Sequence, residues 1–269
     1  MAAHKPVDKS LDSKGVRHRV FPVHYRPSQK LFHVIVKLSD APGSYSLILD
    51  ILRPKLNLVG TTTYTLDDGT AIFSGFAEAL SKDTTPDGIK QLILGSRGAL
   101  DAVVKEGKDG LLIDSFHVGF SVDGDDYLLL RSQGLGQMFD RVSSILGSGG
   151  DALLFEQGLS MGHWNAENLI KRIGIDVVRA QVRALSRSLS AQGFGDVDGD
   201  VGPEDGDFVM TVRDCFECSG EESKRKGCHF MRGYFVGSAQ AIFGKKYRCE
   251  ESKCVLKGSK FCEFRLSPI

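Results

Sequence analysis

The sequence predicts an α+β protein built from two domains. Over residues 29–124, segments with strand-type alternation interleave with segments whose apolar residues recur at helical spacing. Residues 125–189 show helical spacing, and all six cysteines follow residue 214, between Cys215 and Cys262. A chain of 269 residues is long enough for two domains that each bury a core.

Six elements are predicted in the first domain. Asp67-Asp68-Gly69 has the chemistry of a hairpin turn, and Pro54 ends the first helix. The predicted elements are, in chain order, strand Leu31–Leu38, helix Tyr45–Leu52, strand Leu56–Leu66, strand Ala71–Phe76, helix Ile89–Lys105 and strand Leu111–Val122. This β-α-β-β-α-β order is the ferredoxin-like arrangement.

The first domain, residues 29–124, also resembles an ACT regulatory domain. Asp40, Pro42 and Gly43 follow the first strand and match the Asp-x-Pro-Gly turn of that family. The resemblance implies a module that dimerises, with this turn as a candidate amino-acid site. Ser44-Tyr-Ser46 stands where apolar residues are usual, so a ligand-free dimerisation or packing module is the alternative.

Composition and charge limit the classes of partner. The 34 basic and 34 acidic residues balance, so no global charge favours nucleic acid or an anionic membrane. No apolar run approaches the roughly 20 residues that span a bilayer, and residues 1–28 lack a signal-peptide core. We expect a cytoplasmic protein with reduced thiols, whose basic segment 1–28 is a solvated, flexible tail.

The second domain, residues 125–269, begins with three predicted helices, at Leu135–Leu146, Ala152–Asn168 and Ile175–Leu189. A hairpin with acidic residues follows. Its Asp196–Asp200 run is not an EF-hand, because Val201 occupies the sixth position and Asp207 the twelfth. Six side chains are candidates for an apolar ligand pocket, although their spacing fits ordinary core as well: Phe139, Phe155, Met161, Trp164, Phe230 and Tyr234.

The cysteine spacing indicates a metal site. Gly258 lies midway between Cys254 and Cys262, so a hairpin turn at this glycine would set the two thiols opposite each other on adjacent strands. Cys228 begins a predicted helix that runs to Phe243, and a helix N-terminus favours a thiolate. Three such thiolates form most of a tetrahedral zinc site.

Several alternatives remain open for the other thiols. Cys218 is the favoured fourth ligand, with Cys215 and Glu217 as competitors at the end of the preceding strand. Cys254 and Cys262 also meet the geometry of a disulfide, and Cys249 reads as an inert buried thiol. A stripe of small residues on the Cys228 helix is expected to lie against a sheet; it consists of Gly233, Gly237 and Ala241.

The region from Gly227 to Phe264 resembles the 4-vinyl reductase domain, especially its archaeal members. The matching residues are Cys228-His-Phe-Met-Arg-Gly233, Gly237, Gly244, Glu251-Ser-Lys-Cys254, Lys257-Gly258 and Cys262-Glu-Phe264. The resemblance implies a fold related to the small subunits of the TRAPP tethering complex. It also implies the zinc site of phenol- and xylene-responsive sensors, in which three cysteines at this spacing and a glutamate bind the metal.

These observations predict a non-catalytic sensor that binds a small hydrophobic ligand in a zinc-stabilised domain and forms a homodimer. No glycine-rich phosphate loop or nucleophile–base set indicates an enzyme, and four protein ligands leave zinc no open position. The alternatives are an adaptor that contacts a protein partner, a transcriptional regulator that uses the basic tail, and a tetrapyrrole-related reductase.

Overall fold

The computed structural model describes residues 23–122, 124–174, 176–202, 206–219 and 225–269. The chain divides into two compact units, residues 1–126 and 127–269. Most of the predicted flexible tail, residues 1–22, lies outside the described residues. No helix within the described ranges combines the length and apolar character needed to cross a bilayer.

The N-terminal unit contains two helices and a four-stranded antiparallel sheet. Its elements are β1 (Val23–Tyr25), β2 (Leu31–Ser39), α1 (Ser44–Leu52), β3 (Leu56–Thr65), β4 (Thr70–Ala79), α2 (Pro86–Leu94), β5 (Ala99–Glu106), β6 (Leu111–Ile113), β7 (Phe120–Val122) and β8 (Asp125–Tyr127). The main sheet has the order β3-β4-β2-β5, so the two central strands are β4 and β2. From β2 to β5, strands and helices follow the predicted β-α-β-β-α-β order.

The predicted helix over Ile89–Lys105 is wrong in its second half. Helix α2 ends at Leu94, and the last strand of the main sheet, β5, occupies Ala99–Glu106. Gly98 has a φ of 92°, which reverses the chain before β5. The predicted final strand, Leu111–Val122, is instead two short strands outside the main sheet, β6 paired with β1 and β7 paired with β8.

The two faces of the N-terminal sheet are covered differently. Phe32, Val34 and Val36 of β2 pack in one core with residues of α1 and α2. Side chains alternate along a strand, so Leu31 and His33 lie on the opposite face. There Leu31 packs in a smaller apolar cluster with Phe76 and Leu112.

The C-terminal unit combines four helices with a four-stranded antiparallel sheet. Its elements are α3 (Ser132–Leu146), α4 (Ser148–Ile173), α5 (Val178–Ala191), β9 (Asp196–Val201), β10 (Phe208–Arg213), α6 (His229–Phe243), β11 (Tyr247–Lys253) and β12 (Cys262–Pro268). The sheet order is β11-β12-β10-β9. The predicted hairpin is confirmed by the β9–β10 pairing, with Asp196 opposite Arg213, and the aspartates belong to the strand itself.

The small-residue stripe on α6 packs against a helix, which corrects the expectation of a sheet. A Cβ added to Gly233 would lie 1.9 Å from the Phe155 carbonyl oxygen of α4, and one on Gly237 would lie 2.0 Å from that of Leu159. Gly158 and Gly162 of α4 approach the α6 backbone equally closely, so the two helices meet backbone to backbone. This contact holds the N-terminus of α6 in place.

Candidate metal centre

Five cysteines converge where three parts of the C-terminal unit meet. Cys215 and Cys218 flank a single 3-10 turn after β10, and Cys228 immediately precedes α6. Cys254 follows β11 and Cys262 begins β12. Lys253 faces Glu263 across the two strands, so Cys254 and Cys262 form the next opposed pair, as the hairpin interpretation predicts.

The sulfur atoms lie at separations that suit a tetrahedral metal. Cys228 Sγ lies 3.1 Å from Cys218 Sγ, 3.8 Å from Cys254 Sγ and 3.7 Å from Cys262 Sγ. Zinc–sulfur bonds of about 2.3 Å at tetrahedral angles require sulfur–sulfur distances of about 3.8 Å. All six cysteines are free thiols, so the disulfide alternative for Cys254 and Cys262 does not occur.

Two overlapping sets of four side chains could each hold a metal ion. The first contains Cys215, Cys218, Cys228 and Cys262, and the second contains Cys228, Glu251, Cys254 and Cys262. The ligand atoms within each set lie within 4.8 Å of one another. Cys228 and Cys262 are common to both sets, which makes them the centre of the cluster.

Glu217, one of the proposed alternatives for the fourth ligand, has another role. Its carboxylate accepts hydrogen bonds from the backbone N–H groups of Phe230 (3.1 Å) and Met231 (2.8 Å) in the first turn of α6. The same carboxylate pairs with Arg225 Nη1 at 2.9 Å. Complete burial raises the pKa of Glu217 to about 7, and these partners oppose the shift. Glu217 therefore caps a helix and belongs to neither ligand set.

Glu251 is the acidic residue that lies at the thiol cluster. Its Oε1 accepts a hydrogen bond of 3.1 Å from the backbone N–H of Cys228. The sequence resemblance implies a glutamate in this kind of site without aligning it to a position. The signal that locates it is the Glu251-Ser-Lys-Cys254 motif, which sets this carboxylate on β11 next to a ligand cysteine.

The surroundings favour thiolates at the cluster. Hydrogen bonds from Cys215, Cys218 and Cys228 lower the pKa of the Cys262 thiol. The backbone N–H of Val255 points to Cys262 Sγ at 3.4 Å, and the positive end of the α6 dipole lies at Cys228. Cys249, in contrast, lies on β11 outside both sets, and burial raises its pKa to about 12.

A cluster of aromatic rings, named here the aromatic cluster, adjoins the thiols. Its members are Phe139, Phe194, Phe216, Phe230 and Tyr234. Phe139 of α3 stacks on Phe230 of α6 with a centroid distance of 5.2 Å, and Phe216 packs edge-on against Phe139, Phe194 and Phe230. Phe216 lies between Cys215 and Cys218 in the chain, so the aromatic and thiol clusters share one turn.

A buried ion-pair network joins α3 to that turn. Arg225 Nε lies 2.6 Å from Asp140 Oδ1 of α3, and its Nη2 donates to the Glu217 carbonyl oxygen at 2.6 Å. The Arg225 side chain is 1% exposed, and its guanidinium lies 5.7 Å from the centre of the Phe139 ring. Buried charges of this kind are costly to separate, so the network holds α3 beside the aromatic cluster.

The six candidate pocket residues do not line one common pocket. Phe139, Phe230 and Tyr234 are buried in the core and belong to the aromatic cluster. Phe155 is partly buried and lies under the Arg232 guanidinium at 5.3 Å. Met161 and Trp164 are exposed, by 44% and 59%, because the face of α4 that meets α6 is occupied by its glycines. Phe194 and Phe216 were not predicted, since they lie in loops without helical spacing.

The turn formed by Asp40, Pro42 and Gly43 connects β2 to α1 and is exposed. Gly43 has a φ of 89°, and its carbonyl oxygen accepts the N–H of Leu47 at 3.1 Å. The turn thus begins the helix, as its Pro-Gly chemistry indicates. The ACT-like assignment and its amino-acid site stay predictions.

Comparisons with known proteins concern mainly the C-terminal unit. Residues 208–268 match the family model of the vinyl-4-reductase domain, so the predicted resemblance is confirmed for this segment. An uncharacterized protein of Methanocaldococcus jannaschii, MJ1642, is 36% identical over 58 residues, which are 21% of this chain and 36% of the relative. A second from that organism, MJ0150, is 26% identical over 108 residues, which are 36% of this chain. The chain spans 36% and 62% of the lengths of these two relatives.

Two similar solved structures share the fold at low sequence identity. One is the phenol-responsive sensory domain of the transcription activator PoxR with phenol. Its sequence identity is 19% and the TM-score 0.47, with 70% of this chain and 92% of that chain covered. The other is a vinyl-4-reductase family protein from Methanocaldococcus jannaschii, with 17% identity and a TM-score of 0.35, covering 54% of this chain and 84% of that chain.

Proposed function

We propose that the C-terminal unit is a non-catalytic regulatory domain that senses a small hydrophobic molecule. Zinc bound by the thiolates of Cys218, Cys228, Cys254 and Cys262 holds the sensing site together. The observation that carries this proposal is the turn shared by the thiol and aromatic clusters, with Phe216 between two of the cysteines. A shift of the rings would therefore move metal ligands, and a bound metal would restrain the rings.

The donor set favours zinc and a structural role. Thiolates at tetrahedral spacing suit zinc, and four protein ligands close its coordination sphere. A closed sphere leaves no position at which a water or substrate could be activated. Cys254 and Cys262 are fully buried, which supports a structural centre rather than a reactive one.

The aromatic cluster suits an aromatic or similarly apolar ligand. Of the residues of α3, Phe139 and Gly136 alone are fully buried, so few apolar contacts hold this helix. A ligand ring can take the position of the Phe139 ring on Phe230 and Phe216, with α3 displaced outward. The Arg225–Asp140 pair links that displacement to the thiol-bearing turn.

Phenol, which has the size of a phenylalanine ring, is a suitable probe. We expect saturable binding of phenol to the zinc-loaded protein by calorimetry. Phe230→Ala should weaken it at least about tenfold, because a stacked ring pair contributes about 1 kcal/mol beyond burial. Met161→Ala, at an exposed position, is the matched control and should bind as the wild type does. Absence of saturable binding to folded, zinc-loaded wild type for both phenol and p-cresol would refute the sensor.

An adaptor or dimer function is the second candidate, and exposed apolar residues on α3 and α4 favour it. These residues are Met138, Ile145, Leu146, Leu153, Met161 and Trp164. Within each helix their spacing places them on one face. Apolar surface of this kind is typical of protein contacts, and a second copy of the chain is the simplest occupant.

Self-association tests this second candidate. Trp164→Glu should weaken a homodimer at least about tenfold in sedimentation experiments, because aromatic residues dominate interface energy. Leu129→Glu changes an equally exposed apolar residue outside these helices and should leave association unchanged. A wild-type protein that stays monomeric at high concentration would contradict the dimer.

A further inference from the structure

Two histidines and an aspartate meet on the face of the N-terminal sheet that α1 and α2 leave free. His33 lies on β2 between Phe32 and Val34, whose side chains are in the helix-covered core, so its own side chain lies on the other face. Asp114 and His117 follow β6 in the segment that covers this face. The nitrogen and oxygen atoms of the three side chains lie within 4.8 Å of one another.

Hydrogen bonds already hold the three side chains. Asp114 Oδ1 accepts the backbone N–H groups of Phe116 (2.9 Å) and His117 (3.0 Å), while Oδ2 lies 2.7 Å from His117 Nδ1. The outer nitrogens are also engaged. His33 Nε2 lies 2.8 Å from Ser74 Oγ, and His117 Nε2 lies 3.0 Å from Tyr64 Oη. Both imidazoles thus direct Nδ1 toward the carboxylate.

His33 Nδ1 has no hydrogen-bond partner among the described residues, although His33 is fully buried. The Asp114 Oδ1 atom lies at 3.8 Å, too far for a hydrogen bond. A buried polar atom without a partner costs about 1–3 kcal/mol. Burial lowers the pKa of His33 to about 4, which leaves a neutral imidazole with a lone pair beside a carboxylate.

We propose that His33 Nδ1, Asp114 and His117 Nδ1 bind a divalent transition-metal ion such as zinc. Two imidazoles and one carboxylate form a recurrent ligand set for such ions. Ser74 and Tyr64 orient the imidazoles from behind. Metal–ligand bonds of about 2.1 Å require only small movements from the present separations. The Asp114 and His117 side chains are 17% and 26% exposed, so one side of the site is open to a water molecule or exchangeable ligand.

Zinc counting on the full-length protein tests this site. His117→Ala should lower the zinc bound at saturation by one equivalent relative to wild type, whatever the occupancy of the thiols. Asp114→Asn keeps an acceptor for the turn and should weaken that equivalent at least about tenfold. His24→Ala, in the same unit but paired with Glu78, is the matched control and should bind as wild type does.

The imidazole signals provide an independent readout that misfolding would not imitate. Adding zinc to the wild type should shift the nitrogen resonances of His33 and His117 and leave those of His24 unchanged. His117 is partly exposed, so its removal leaves the sheet core intact. Equal zinc stoichiometry in wild type and His117→Ala, or histidine resonances that zinc does not move, would overturn the proposal.

Discussion

Substitution of Cys254 by serine is expected to remove zinc from the C-terminal unit and most of that unit's stability. Structural zinc contributes roughly 10–16 kcal/mol in small zinc-dependent domains, and whole domains have only about 5–15 kcal/mol of net stability. Loss of one buried thiolate ligand should therefore cost on the order of 5 kcal/mol. Zinc content by mass spectrometry and thermal unfolding, each with and without chelator, measure the two effects.

Cys249→Ser is the matched control for this experiment. Cys249 lies on the strand that leads to Cys254 but belongs to neither ligand set. It should retain zinc and lose at most about 1–2 kcal/mol, the range for a single substitution away from such a centre. Unchanged zinc content in Cys254→Ser would contradict the ligand assignment, and a chelator without effect on wild-type unfolding would contradict a structural metal.

The same measurement separates the two competing cysteines. Cys218 Sγ lies 3.1 Å from Cys228 Sγ and 3.5 Å from Cys262 Sγ. If Cys218 is the fourth ligand, Cys218→Ser loses zinc whereas Cys215→Ser keeps it. The reverse result would assign Cys215, and zinc loss in neither variant would favour Glu251, which completes the second set.

Substitution of Gly162 or Gly237 by alanine should destabilise the C-terminal unit by about 3 kcal/mol or more. The new Cβ would lie 2.0 Å from a backbone carbonyl oxygen, that of Tyr234 or of Leu159, and neither atom can turn aside. The helices α4 and α6 would have to separate, and overpacking of this kind typically costs about 1–3 kcal/mol when softer side chains absorb it. Chemical denaturation followed by circular dichroism measures the loss.

Gly149→Ala provides the control within α4. A Cβ at Gly149 would meet no atom of the described residues within 4 Å, and alanine is favoured over glycine in a helix by up to about 1 kcal/mol. We therefore expect unchanged or slightly raised stability. If Gly162→Ala and Gly237→Ala behaved as this control does, the close backbone contact between α4 and α6 would be wrong.

Local chemistry made the C-terminal elements predictable. The hairpin that sets Cys254 opposite Cys262 follows from Gly258, whose φ of 88° suits glycine, and the helix after Cys228 follows from its apolar pattern. The Ile89–Lys105 helix failed because the apolar residues of β5 fit either period, and the break at Gly98 outweighs the helical pattern.

Features that depend on distant residues were not predictable in this way. Glu217 lies one residue from Cys218, and sequence distance alone cannot tell a metal ligand from a helix cap. The carboxylate turns to the N–H groups of Phe230 and Met231 because those donors lack partners within their helix. The small residues of α6 indicate a close neighbour without saying whether it is a sheet or a helix.

By itself the sequence determined which side chains are able to bind metal and which turns and helices carry them. Cysteine spacing and glycine turn chemistry are local properties, so the chain reveals them directly. Only the tertiary structure decided that Phe216 joins the thiols to the aromatic cluster and that His33 meets Asp114 and His117. These groupings depend on how strands and loops pack across long stretches of chain, and no local period encodes that.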